Sequence, residues 1–289
     1  RLRVYAGGAW NELYSWPRPR AFAAGADANR DGYDDLLLSY STATNNVVLI
    51  RSGKTGLVLR TIAGGAPTIG FGASLAWIGD LDADGCSEFI VGSVGPTLYG
   101  GAAVYSGRTG ARIKTQTPSR ARSQFGLTSL AAGDCNHDGW PDYAIAAPLN
   151  ITPQIEPSNV DVFSGRDHSL TRRINSHVNP SNRYALAGRA LGATMARALD
   201  VNDDDYDDLI LGSQEHIRIV SGKDGRDLFR FYPTVDGFGG TFDAGTDLDG
   251  DGIGDVCDTD VDGDGTPDTT DGCPRLADDQ TDTDRDGIG

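Results

Sequence analysis

Residues 27–35 read DANRDGYDD, and the pattern returns as DLDADGCSE (80–88), DCNHDGWPD (134–142), DVNDDDYDD (200–208) and DLDGDGIGD (247–255). Each copy puts oxygen-bearing side chains at its first, third, fifth and ninth positions, and four of the five have glycine at the sixth. Carboxylate and carboxamide oxygens converging within one tight loop are what a hard cation such as Ca²⁺ requires, with the backbone carbonyl of the seventh position completing the set. The ligands expected in the first loop are Asp27, Asn29, Asp31, the carbonyl of Tyr33, and Asp35. In the second they are Asp80, Asp82, Asp84, the Cys86 carbonyl and Glu88. The third offers Asp134, Asn136, Asp138, the Trp140 carbonyl and Asp142. The fourth offers Asp200, Asn202, Asp204, the Tyr206 carbonyl and Asp208. This fourth loop has Asp205 where the others have glycine, which predicts a slightly strained turn.

The twelfth position distinguishes these loops from helix-flanked calcium loops, which need a bidentate Glu there. It holds Leu38, Val91, Ile145 and Leu211, each inside a short apolar run bounded by glycine or polar residues, the signature of a buried strand. The runs are LLLSYS from Leu36, FIVGSV from Phe89, YAIAAP from Tyr143 and LILGSQ from Leu209. A hairpin motif keeps time with the loops: VYAGGAWNEL from Val4, IRSGKTGLVL from Ile50, VYSGRTGARI from Val104, VFSGRDHSLT from Val162 and IVSGKDGRDL from Ile219. Nine residues ahead of three loops stand Phe71-Gly72, Phe125-Gly126 and Phe238-Gly239, with Leu191-Gly192 in the fourth repeat. Arg18-Pro19 in the first repeat predicts a degenerate opening strand. Loop starts recur every 47 to 66 residues, the length of four short strands with their turns. Each unit therefore reads strand, metal loop, strand, strand, turn, strand.

The segment GFGASLAWIGDLDADGCSEFIVGSVGPTLYGGAAVYSGRTG resembles an FG-GAP repeat, the blade unit of integrin-α-like β-propellers. The resemblance covers residues 1 to about 242 and implies an all-β propeller of four-stranded blades with calcium in the loop joining the first two strands. The chain offers a leading hairpin, four units and a fifth opening strand. The expected architecture has about five blades, closed by the hairpin from Leu2 to Trp16 together with residues 237–246. A larger ring, or a closing strand from a neighbouring molecule, is the alternative.

From Asp243 the composition turns to Asp, Gly and Thr, too polar to form a core without metal. Residues 243–289 resemble thrombospondin type 3 repeats. The resemblance implies calcium ligands at Asp247, Asp249, Asp251, the Ile253 carbonyl, Asp255 and Asp258, then at Asp260, Asp262, Asp264, the Thr266 carbonyl, Asp268 and Asp271. Cys257 and Cys273 read as a disulfide pair in an oxidising compartment. Cys86 and Cys135 sit in two different loops, either free or bridged. The Asp ladder stops inside a third loop (Asp282, Asp284, Asp286), and the chain opens without Met, so a longer natural chain is expected.

Charge follows the same logic. Of 41 acidic residues only Glu12, Glu88, Glu156 and Glu215 are Glu, and 32 lie in the loops or the tail. Holding about four Ca²⁺ in the propeller and up to about three in the tail would bring the formal net charge of -16 close to neutrality. An acidic chain of this kind is not a nucleic-acid binder. No apolar run approaches the roughly 18 residues of a membrane span. No Gly-x-Ser-x-Gly elbow, His-Glu-x-x-His helix or phosphate loop is present, so no catalytic residue is assigned. The expected function is a calcium-binding scaffold or adhesion protein, secreted or at the cell surface. A protein or glycan ligand would bind on the propeller face or the insertions between 149 and 189, LNITPQIEPSN from Leu149 and HSLTRRINSHVNPSNRYALAGR from His168. Asn150 begins a glycosylation sequon. A carbohydrate-binding or carbohydrate-active propeller, and self-assembly into a filament through an exchanged strand, are the alternatives.

Overall fold

The computed structural model describes residues 1–6, 10–41, 45–64, 70–94, 100–118, 123–148, 158–176, 190–213, 216–231 and 266. All eighteen elements among the described residues are strands. A hairpin of β1 (Leu2–Tyr5) and β2 (Glu12–Trp16) is followed by four antiparallel sheets of four strands, each in simple sequence order. Blade one comprises β3 (Phe22–Ala26), β4 (Asp35–Ser41), β5 (Asn46–Arg51) and β6 (Val58–Ala63). Blade two comprises β7 (Phe71–Gly79), β8 (Glu88–Val94), β9 (Gly100–Tyr105) and β10 (Arg112–Gln116). Blade three holds β11 (Thr128–Gly133), β12 (Asp142–Ala147), β13 (Asn159–Phe163) and β14 (Leu170–Asn175). Blade four holds β15 (Thr194–Leu199), β16 (Asp208–Gly212), β17 (Ile217–Val220) and β18 (Asp227–Phe231). The first strands β3, β7, β11 and β15 pack on one another in that order, so the blades follow one another around an axis as in a propeller.

The acidic loop always joins the first strand of a blade to the second, and the second strand is the most buried. Residues 35–39, 88–92, 142–147 and 208–212 are buried throughout. That is why these strands are continuous apolar runs rather than alternating ones: both faces meet a neighbouring blade. Between blades one and two, Leu37, Val48, Ile50 and Ile62 meet Phe71, Trp77, Phe89 and Tyr105. Between two and three, Ile90 and Val104 meet Tyr143, Ile145 and Phe163. Between three and four, Ala144, Val160, Val162 and Ile174 meet Leu191, Leu209, Leu211 and Val220. Each such side chain contributes about 1.5–3 kcal/mol on burial.

The phenylalanine-glycine pairs sit at these seams. Phe71, Phe125 and Leu191 are buried. Gly192 has φ +80°, and a Cβ on it would lie 2.6 Å from the Ala146 Cβ and from the Val160 Cγ2 of the preceding blade. Glycine is needed there both for its backbone angle and for the close approach.

Two expectations change. The opening strand of repeat one is not degenerate. β3 pairs with β4 from Phe22↔Leu38 to Ala26↔Asp35, because the apolar face of β4 provides a template that Arg18-Pro19, lying ahead of the strand, does not disturb. The segment beginning at His168 is not an insertion up to Asn175. Leu170–Asn175 is β14, paired with β13 from Asn159↔Asn175 to Phe163↔Leu170, and its polar Arg172 and Arg173 belong to an outer strand rather than a binding loop. Insertion residues 149–157, which include the Asn150 sequon, and 177–189, the proposed closing segment 237–246, and the tail except Thr266, with Cys257 and Cys273, lie outside the described residues.

Candidate metal centre

The four acidic loops share the first part of one hydrogen-bonding scheme, built from their own side chains, and loops one to three share the rest of it. The first-position carboxylate accepts the N–H groups of the fifth and sixth residues. In loop one Asp31 and Gly32 donate to Asp27 at 3.2 and 2.8 Å. In loop two Asp84 and Gly85 donate to Asp80 at 3.1 and 2.7 Å. Loop three repeats this with Asp138 and Gly139 on Asp134, and loop four with Asp204 and Asp205 on Asp200. The third-position oxygen accepts the fifth N–H from Asp31 to Asn29, Asp84 to Asp82, and Asp138 to Asn136. The fifth-position carboxylate then accepts the seventh N–H: Tyr33 to Asp31, Cys86 to Asp84, Trp140 to Asp138. These nested turns hold the side-chain oxygens of each loop in order. In the second loop, carboxylate oxygens of Asp80, Asp82 and Glu88 all lie within 4.8 Å of one another.

The fourth position, unremarked in the sequence, is left-handed in every loop: Arg30, Ala83, His137 and Asp203 have φ between +56° and +63°. No glycine marks it, so no residue type signalled it. Asp205 adopts φ +67° at the sixth position, the strained turn expected for that loop.

The ninth-position carboxylates of Asp35, Glu88, Asp142 and Asp208 are fully buried at the base of the loops. Asp35 Oδ2, Glu88 Oε2 and Asp208 Oδ2 accept the N–H of the loop's second residue, Ala28 at 3.0 Å, Leu81 at 2.7 Å and Val201 at 3.1 Å. Asp35, Asp142 and Asp208 also accept the N–H of the hairpin glycines Gly53, Gly165 and Gly222 at 3.1, 3.0 and 2.9 Å. A Cβ on Gly53 would lie 1.9 Å from the Asp34 carbonyl oxygen, and Gly222 meets Asp207 in the same way. The Ser-Gly hairpin motif and the acidic loop thus keep phase along the chain because they touch in every blade.

Burial, with the crowding carboxylates behind it, raises Glu88 and Asp142 to about 7 and Asp208 to about 6, and moves Asp35 in the same direction. Among the described residues no ion pair reaches any of the four. Glu88 Oε1, Asp142 Oδ2, Asp204 Oδ1 and both polar atoms of Asn202 are buried without a hydrogen-bond partner. Oxygen donors in excess of protein donors, at the base of a loop that converges others, fit a divalent hard cation. In loop three the Asn136 amide donates to Asp142 at 3.3 Å, offsetting part of that buried charge.

Neighbouring loops also touch. Asp207 accepts the Asp134 N–H at 2.6 Å, donates its own N–H to the Asp134 carbonyl at 3.1 Å, and is forked by Arg197. The His137 ring lies against Tyr206, tilted by 41° with centroids 5.4 Å apart. Neither cysteine in these loops is bridged: Cys86 and Cys135 are free and buried, and the Cys135 thiol donates to the Ala132 carbonyl.

Comparison with known proteins agrees with both sequence resemblances. Residues 246–280 match the thrombospondin type 3 repeat family. The chain is 31% identical over 181 residues to integrin alpha-7 of Mus musculus, covering 58% of this chain and 14% of that protein. It is 28% identical over 169 residues to integrin alpha-3 of Cricetulus griseus, covering 53% and 15%, and 28% over 152 residues to integrin alpha-4 of Xenopus laevis, covering 50% and 14%. The match thus spans about one seventh of the length of those relatives. Among solved structures, the Dos1 propeller aligns with a TM-score of 0.50 at 7% identity, over 81% of this chain and 55% of that one, a likeness of fold. None of these relatives is an enzyme by name, in keeping with the absence of a catalytic motif. No helix among the described residues is long and apolar enough to cross a membrane.

Proposed function

We propose that the chain is a calcium-stabilised scaffold of the adhesion kind, outside the cell or at its surface, with a propeller in residues 1–242 and thrombospondin type 3-like calcium repeats in 243–289. The observation that carries this reading is the set of buried ninth-position carboxylates, Asp35, Glu88, Asp142 and Asp208, each closing a loop of further oxygen ligands. Ca²⁺ bound in each loop would neutralise the buried carboxylate and tie the first strand of a blade to the second. Integrin relatives on one side and the thrombospondin type 3 match on the other support an extracellular setting and a protein ligand. The same role is assigned to the tail ligands from Asp247 to Asp271, where metal stands in for a hydrophobic core.

The deciding experiment is thermal unfolding and calorimetric titration with Ca²⁺ and with a chelator. At free Ca²⁺ tenfold above the dissociation constant each site adds about 1.4 kcal/mol, so several sites shift the melting temperature strongly. An unchanged melting temperature on chelation, with no heat of binding, would end this reading.

A further inference from the structure

Of the four acidic loops, among the described residues, only three and four are joined backbone to backbone. The Asp207 N–H donates to the Asp134 carbonyl at 3.1 Å, and the Asp134 N–H donates in return to the Asp207 carboxylate at 2.6 Å. Nδ1 of His137 donates to the Asp205 carbonyl at 2.8 Å, since a carbonyl can only accept. Arg197 on β15 forks the Asp207 carboxylate, with Nε at 3.0 Å and Nη2 at 2.8 Å, which fixes its orientation. The Asp207 side chain is 13% exposed, so water competes little for these bonds.

Asp207 stands at the eighth position of its loop, which is not one of the expected ligand positions. The eighth position of loop three is Pro141, and both residues sit over the glycine that precedes the previous loop. A Cβ on Gly133 would lie 2.2 Å from Asp207 Oδ2, and a Cβ on Gly79 would lie 2.8 Å from Pro141 Cγ. The two junctions thus have the same placement and different chemistry. Proline has no N–H and no side-chain acceptor, so it packs against loop two without bonding to it. Loop one meets loop two through a side chain alone, the Arg30 guanidinium lying where a Cβ on Gly85 would come within 2.6 Å.

We propose that Asp207 is a positioning residue that makes loops three and four a cooperative pair for Ca²⁺, while the Pro141 junction leaves loop two independent of them. This rests on the calcium reading above and adds a coupling between two of its sites. Asp134 is the hub of the pair. Its carboxylate accepts the N–H groups of Asp138 and Gly139 in its own loop, and its backbone N–H and carbonyl are both held by Asp207, the neighbour of buried Asp208. An ordered loop four therefore holds loop three in shape, and ordering that two sites share reads out as positive cooperativity. Loop three has a use for that order, because Asp142 is fully buried and its Oδ2 has no hydrogen-bond partner.

Terbium(III) takes oxygen ligands in place of Ca²⁺ and emits when a nearby indole is excited. The part of that emission lost in Trp140→Phe reports loop three, whose expected ligands include the Trp140 carbonyl. On the full chain, Asp200→Ala removes the first ligand of loop four and leaves the clasp atoms in place, and it should weaken terbium binding at loop three at least about fivefold. Asp80→Ala, the same change in loop two, should leave loop three unchanged. In an Asp207→Ala background, Asp200→Ala should have no further effect, whereas Asp207→Asn keeps an acceptor oxygen and should keep the dependence. A loop-three affinity indifferent to Asp200→Ala, an equal loss in Asp80→Ala, or a dependence that survives Asp207→Ala would overturn the proposal and leave the calcium reading standing. Terbium bound by no form of the protein would end both. Cooperative thermal unfolding in excess Ca²⁺ confirms that the variants fold, and the nearly isosteric Asp204→Asn takes the place of Asp200→Ala if that one does not.

Discussion

Replacing Glu88 by Gln should stabilise the protein without calcium and destabilise it with calcium. Glu88 is fully buried, its Oε2 takes the Leu81 N–H at 2.7 Å, and its Oε1 has no partner. Burial first, then the carboxylates of Asp82, Asp80 and Asp84, raise it from 4.5 to about 7. For a carboxyl whose folded-state value is raised, the penalty is absent below about pH 4.5 and complete above about pH 7, so calcium-free stability falls as pH rises through that window. At about 1.36 kcal/mol per tenfold, the full penalty is roughly 3 kcal/mol. Gln keeps the acceptor for Leu81 and removes the charge. In a chelator at pH 7.5 the variant should therefore melt roughly 6–12 °C above wild type, by the usual relation for a domain of this size. With calcium the order reverses, because a charged ligand has gone and the affinity of loop two falls at least about tenfold. Differential scanning calorimetry in both conditions reads the two signs. Equal destabilisation in chelator and in calcium would refute the argument, since Glu88 would then be a packed hydrogen-bonding group and not a cation ligand.

Gly192→Ala forces a side chain into φ +80° and to within 2.6 Å of Ala146 in the preceding blade, so urea unfolding should show a loss of at least about 2 kcal/mol. Asp205→Gly relieves the left-handed turn of loop four and should raise stability by about 1 kcal/mol or less, measured with calcium present so that metal affinity is scored in the same titration. Cys86 and Cys135 are buried free thiols, and burial holds both above the ordinary thiol range, so a thiol reagent should label them only at the rate of unfolding. Rapid labelling of the native protein would show that the loops open.

Much of the architecture was legible from residues because it repeats. Oxygen side chains at fixed offsets, an apolar run where a helix-flanked loop would need Glu, and a hairpin in phase together specify strand order within each blade, since local turn chemistry and the alternation of buried and exposed positions act over a few residues. The same locality explains the misreadings. β14 carries Arg172 and Arg173 and reads as a polar insertion, yet Arg173 pairs with buried Asp161 and Arg172 clasps the next blade. The left-handed fourth loop position carries Arg, Ala, His or Asp, residues that do not announce it.

The sequence by itself determined the blade unit and the place of the acidic loop between its first two strands, because those depend on spacing along the chain. Only the tertiary structure decided why the Ser-Gly turn and the acidic loop share a period: the turn N–H groups close on Asp35, Asp142 and Asp208, a contact between residues 14 to 23 apart in sequence. It alone separated aromatic residues that fill seams from those that face water: Phe163, on the third strand of blade three, is 5% exposed, and Phe229, on the outermost strand of blade four, is 46% exposed.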